Sequence, residues 1–372
     1  MKFYKQPITL ILIALVLIVV ACAGCTSTTD KNSAGTTVAV TSSTTTPVST
    51  TTLVTPKSST CSPVTVIQTE GKEITLPCMP KRIIVTNSDA AEMLIALGAA
   101  DTIVGITESS KNVSYIMDRI PQAQSIGDWQ TPNIERMLSL KPDAVISYAS
   151  SKPKNIDQIK AANITIVYLD CYRLPKLASD ARAVGLLTGH EQKAEEFARS
   201  VENTTATVMK RVATVPNEKL STVYFEGYTD FTAAGTGSGS DEILMMAGAK
   251  NIASGLSSSS PKVSAEWVVA QKPAYIMKVI SSKETRPFPD IARHMANRTG
   301  WNTIPAAQQD RVFLFSNSIE YGPKSFIGLA YTAKILHPDL FGDVDPGKML
   351  DDYALKYVSG TNVTQAVFPE PV

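Results

Sequence analysis

The chain has 372 residues, 35 basic and 34 acidic, and its formal charge of +1 gives no reason to expect a nucleic acid as partner. At 44% hydrophobic and 19% charged it is apolar enough to fold and long enough for two lobes of ordinary size. His190, His294 and His337 are scattered, which argues against a site of clustered imidazoles, and no metal ligand set is expected.

Lys2 and Lys5 precede an uncharged apolar run over 8–21, too short for a comfortable membrane span and laid out like a secretory signal. The run meets Cys22-Ala-Gly-Cys25, and small residues directly before a cysteine resemble the lipobox of exported lipoproteins. Residues 1–25 are therefore expected to be a lipoprotein signal peptide. Cys25 would carry the lipid and anchor the chain to the outer face of the cytoplasmic membrane. Cys22 is a second candidate, and an uncleaved anchor helix the alternative. Residues 26–60 hold 21 Ser or Thr among 35 and bury too little to offset the entropy of ordering, so they read as a disordered stalk. Sequons at Asn112, Asn163, Asn203, Asn297 and Asn362 add weak support for an external location.

Cys61 and Cys78 bracket 64–76, where apolar residues alternate on either side of Glu70-Gly71, a natural hairpin turn. A hairpin centred there brings the two cysteines to its open end. An exported chain permits the disulfide that this predicts, leaving Cys171 as a small apolar residue of core or cleft.

From residue 82 onward, short β-branched runs alternate with longer helical ones, the pattern of parallel sheets flanked by helices. Strands are predicted over 82–86, 144–148 and 164–169, then over 222–225, 275–280 and 312–315. The halves repeat each other. Glu92-Met-Leu-Ile-Ala-Leu-Gly98-Ala99 recurs as Glu242-Ile-Leu-Met-Met-Ala-Gly248-Ala249, a helix ended by a glycine able to turn left-handed. Glu135-Arg-Met-Leu-Ser-Leu-Lys141-Pro142 recurs as Glu266-Trp-Val-Val-Ala-Gln-Lys272-Pro273, a short helix stopped before proline. Two similar Rossmann-like α/β lobes follow, at 61–190 and 216–350, with 351–372 as a C-terminal tail. Between them, Ala194, Phe197, Ala198, Val201, Thr205, Val208 and Val212 fall on one face of a long helix within 191–215. About 22 residues span roughly 33 Å, long enough to join the lobes and leave a preformed cleft; an ordinary core helix of one lobe is the alternative.

Pro80-Lys-Arg-Ile-Ile-Val-Thr-Asn-Ser-Asp-Ala-Ala-Glu92, Ile103-Val-Gly-Ile106, Asn133-Ile-Glu135 and Leu140-Lys-Pro-Asp143 together resemble the substrate-binding proteins of ABC importers for iron-siderophores, haem and vitamin B12. Ala247-Gly-Ala-Lys-Asn-Ile-Ala253, Val263-Ser-Ala-Glu266 and Leu336-His-Pro338 extend the resemblance over about 63–345. It implies two lobes joined by one long helix and a ligand in the groove between them. It also implies a monomer without enzymatic activity or resident cofactor, whose partners are an ABC permease and its ATPase. One glutamate on each lobe, here Glu135 and Glu266, would dock to permease arginines, a charge-assisted pairing that fixes orientation as well as affinity. The plainer role of each is to meet its own helix dipole.

Ligands of open α/β sheets lie outside the carboxyl ends of the strands. That places Asn87, Ser88, Tyr148 and Tyr172 of the first lobe and Tyr228, Phe231 and Tyr321 of the second at the groove. Trp129 matches a region that presents an aromatic to the cleft in vitamin B12-binding relatives. Where those relatives place a second tryptophan this chain has Gly255-Leu-Ser-Ser-Ser-Ser260, which counts against a corrinoid.

Gly235-Thr-Gly-Ser-Gly-Ser240 looks like a phosphate loop, yet no lysine follows and Asp241-Glu242 would repel an anion. Asp343, Asp345, Asp351 and Asp352 lack calcium-loop spacing; Asp345-Pro346 reads as N-cap and first helical residue. The sequence points to a lipid-anchored receptor for a small-molecule metal chelate, ferric siderophore first, corrinoid or haem next. A surface enzyme acting on a cofactor or glycan and a structural envelope protein are the rivals from other classes.

Overall fold

A computed structural model of the chain describes residues 61–358 and 366–371. The signal peptide, Cys22, Cys25 and the stalk lie outside the described residues, as does Asn362. The described chain opens with β1 (Val64–Ile67) and β2 (Glu73–Leu76), paired antiparallel with Val64 opposite Leu76. Gly71 takes the left-handed turn position at φ 84°, and Cys61 and Cys78 form a disulfide at the open end, their Cα atoms 5.4 Å apart.

β3 (Ile83–Val85), β4 (Ile103–Ile106), β5 (Gln124–Ser125), β6 (Ala144–Ser147) and β7 (Ile166–Tyr168) form a parallel sheet in the order β5-β4-β3-β6-β7. β8 (Thr222–Glu226), β9 (Lys250–Asn251), β10 (Tyr275–Ile280), β11 (Val312–Ser316) and β12 (Val367–Phe368) form a second, in the order β12-β11-β10-β8-β9. The run β9-β8-β10-β11 repeats β4-β3-β6-β7, so the sheets share one topology. β5 and the antiparallel β12 are added at their edges.

Alternate strand residues point to opposite faces, and the core divides accordingly. Ile83, Val85, Val223, Phe225 and Met277 join one large cluster that draws on both lobes. Ile84 and Val145 face a separate cluster behind the first sheet, Tyr224 and Ile276 another behind the second. The helix Glu191–Val212, 22 residues long, buries Ala194, Phe197, Val201 and Val208 in the large cluster. It packs along Leu174–Thr188 of the first lobe and Ser325–Leu336 of the second, whose Phe326 meets Phe197 edge-on at 6.1 Å. The lobes thus share a core as well as a helix.

Residues 351–372 are not a loose tail where they are described. The helix Pro346–Tyr353 runs on into Ala354–Val358, which packs on the first-lobe helix Ser88–Leu97. Arg119 donates to the Val358 carbonyl, and β12 then pairs with β11. The C-terminal segment therefore bridges the two lobes, an arrangement that composition alone does not reveal.

Candidate functional site

The carboxyl ends of both sheets face one cavity of about 530 Å³. β3 delivers Ser88 and Asp89, β6 Tyr148 and Ser150, and β7 Tyr172; β8 delivers Tyr228, β10 Ser282, and β11 Asn317 and Tyr321. This is the crevice expected where strand order reverses in such sheets.

Of the residues placed there from sequence, Ser88, Tyr148, Tyr172, Tyr228 and Tyr321 line the cavity. Tyr148 and Tyr172 meet edge-on at 5.7 Å, and Tyr228 and Tyr321 lie 6.0 Å apart across the second lobe's wall. Asn87 does not line it. Its side chain is buried, accepts from the Ala90 amide at 2.6 Å and donates to the Leu169 carbonyl, so it caps the Ser88–Leu97 helix. Phe231 also turns away: its φ of 57° folds the ring into the second lobe, against Trp301 and under the Arg298 guanidinium at 4.5 Å. Trp129 stands one ring back, edge-on to Tyr148 with ring centroids 6.3 Å apart.

The charged lining was not read from sequence. Tyr148 donates to Asp89 Oδ2 at 2.6 Å; Tyr115 donates to Glu92 Oε2 at 2.8 Å, and Lys324 pairs with Glu92 Oε1. Burial pushes the Asp89 carboxyl up to about 6, opposed by the Tyr148 hydroxyl and Lys324; burial pulls the Lys324 ammonium down to about 7. Asp89 follows Ser88 directly and Lys324 lies three residues past Tyr321, so proximity to those residues was the available signal.

The loop that resembled a phosphate cradle is closed by its own chain. Asp241 accepts from the Gly237 amide, and a Cβ on Gly235 would lie 2.0 Å from the Ser258 carbonyl oxygen. Asp345 caps the last helix by accepting from the Lys348 amide at 2.9 Å.

Glu135 and Glu266 are exposed in the first turns of Ile134–Ser139 and Ala265–Gln271, behind the N-caps Asn133 and Ser264. Each helix precedes an equivalent strand, β6 or β10, so each begins on the carboxyl edge of its sheet. Lys141 and Lys272 both take φ 47° before proline, so the repeat extends to backbone conformation. The Glu266 carboxylate is held below its ordinary range by its own backbone amide and the Ser264 hydroxyl.

A profile of the periplasmic binding protein family matches residues 83–318. The chain is 26% identical over 287 residues to YvrC, an uncharacterized ABC transporter substrate-binding lipoprotein of Bacillus subtilis, covering 75% of this chain and 87% of that protein. It is 26% identical over 316 residues to the molybdate-binding protein MolA of Haemophilus influenzae, covering 77% and 88%. The periplasmic binding protein FepB of Veillonella parvula has a similar fold, with TM-score 0.70, 19% identity and coverage of 82% and 99%. Proteins of this kind carry transported ligands and no resident cofactor, catalyse no reaction, and work outside the cytoplasm with a permease and its ATPase. Two sheets of one topology with a cavity at their facing carboxyl ends fit the same assignment: the chain belongs to the periplasmic binding protein family, as the substrate-binding protein of an ABC importer.

Proposed function

We propose that the protein captures a metal chelate, ferric siderophore first among them, and delivers it to its permease through Glu135 and Glu266 while Cys25 holds it to the membrane as a monomer. The observation that carries this reading is the tyrosine-lined cavity of about 530 Å³. That volume falls in the range of roughly 300–1,000 Å³ that accommodates drug-sized ligands. A bare tetrahedral oxyanion, such as the molybdate that MolA binds, would leave most of it to water. Tyrosine rings paired at 5.7 and 6.0 Å give planar chelate surfaces faces and edges to pack on, and their hydroxyls give directional contacts. A corrinoid is the weaker reading, because Trp129 lies behind Tyr148 and 255–260 brings no second indole.

Trp129 beside Tyr148 makes intrinsic fluorescence the direct test. Saturable quenching by ferric siderophores, lost in Trp129→Phe, supports the reading. Saturation by cobalamin or haemin alone would move the cargo to the corrinoid or haem class.

A further inference from the structure

We propose that the cleft takes chelates of neutral or positive overall charge, and that Asp89 is the residue that selects them. This rests on the capture reading above and specifies its cargo.

Among the described residues, three of the cavity wall carry charge: Asp89, Glu92 and Lys324. Lys324 is committed to Glu92, with the Tyr115 and Tyr353 rings 5.5 and 5.3 Å from its ammonium. The pair is neutral when Lys324 is protonated and negative when it is not, so in neither form does it offer a ligand net positive charge. Asp89 therefore sets the sign of the cavity. Its Oδ2 accepts from Tyr148, while no side-chain donor among the described residues reaches Oδ1. Oδ1 lies at the seam between the lobes, where a Cβ on Gly322 would be 3.1 Å from it.

Cations behind the wall are committed as well. Arg173 pairs with Glu242, and Lys278 and Arg298 share Glu226 and Asp230. Arg119 donates to Val358. Glu320, next to Tyr321, is pushed up to about 8 by burial and is held neutral at pH 7. A polyanionic chelate entering this site would meet a carboxylate and no uncommitted cation among the described lining residues, whereas a neutral or cationic one meets hydroxyls that both donate and accept.

Calorimetric titration of the full chain with three ferric chelates tests this: ferric desferrioxamine B, a cationic trihydroxamate; its N-acetyl derivative, which is neutral; and a trianionic ferric tricatecholate. The first two are expected to saturate the protein, with the tricatecholate at least about tenfold weaker. Asp89→Asn, which keeps the acceptor for Tyr148, is expected to narrow that gap about tenfold. A tricatecholate that binds as tightly as the others overturns the proposal but leaves the capture of chelates intact, as does a gap unchanged in Asp89→Asn. No heat from any of the three, nor from cobalamin or haemin, overturns the capture reading and this one with it.

Discussion

Glu92 and Glu242, which hold the same position in the two halves of the chain, each pair with a cation of the opposite half. Glu92 meets Lys324 and Glu242 meets Arg173. Both cations stand immediately before equivalent helices, Arg173 before Leu174–Thr188 and Lys324 before Ser325–Leu336. The duplication therefore yields two related bridges across the cleft. Together with the shared core they brace the lobes against each other.

The two bridges are expected to differ in energy. Glu92 and Lys324 are 5% and 4% exposed, and removing one partner strands a buried charge, at a cost of about 3–5 kcal/mol. The Arg173 side chain is 34% exposed, and its pair is screened by solvent. Lys324→Met should lower the free energy of unfolding by the larger amount, and Arg173→Met by about 1 kcal/mol or less. Equal losses in denaturant titrations would show that burial does not separate them.

Docking through the exposed glutamates predicts a split between uptake and binding. Glu135→Ala combined with Glu266→Ala should abolish transport in cells while leaving chelate affinity within about twofold, roughly 0.4 kcal/mol. Neither residue lines the cavity. Uptake that survives the double change would reassign both to helix-dipole stabilisation.

Much of this architecture was legible because the chain says it twice. The matching blocks at Glu92 and Glu242, and at Glu135 and Glu266, placed helices, glycine stops and pre-proline turns correctly. Strand β10 was read to the residue, since a fully buried parallel strand is a continuous apolar run. The two-residue edge strands β5, β9 and β12 carry too little pattern to be read. At the site, position after a strand told which residues come near the cleft but not where their side chains point. Asn87 and Phe231 turned away for local reasons, a cap and a positive φ. Lys324 pairs with Glu92 across 232 residues of sequence, a contact that only tertiary packing creates.

A core shared between lobes should make unfolding a single cooperative event. Trp129 belongs to the first lobe and Trp301 is buried in the second, so the two report separately. With one indole kept at a time, both are expected to show the same denaturant midpoint. Phe197→Ala, which empties the contact among the long helix, Phe326 and Tyr357, should lower both midpoints together, the free energy of unfolding falling by about 3–5 kcal/mol. Separate midpoints would mean that the lobes unfold independently.

Acidification separates the roles of Asp89 by sign. Burial holds its folded carboxyl up at about 6, above the ordinary 3.8, so the folded state binds this proton more tightly than the unfolded chain does. Its contribution to stability is therefore fully present below about 3.8 and lost as pH rises through about 6. A cationic chelate depends on the opposite form. Its affinity should fall as pH drops from 7 to 5, by at most about tenfold per unit below the pKa, while the neutral chelate's stays level. The ionisable groups facing Asp89 are Glu92, Asp170 and Lys324, with Cys171 and Tyr115, Tyr148, Tyr172, Tyr228 and Tyr321. Burial raises the thiol and all five phenols, so they stay neutral over this window. Lys324, near 7, gains a proton as pH falls, which disfavours a cation in the same direction; Asp89→Asn separates the two, because the fall that remains in that variant belongs to the lysine pair. If wild type and variant lose affinity for the cation equally between pH 7 and 5, the carboxylate is not what the ligand meets.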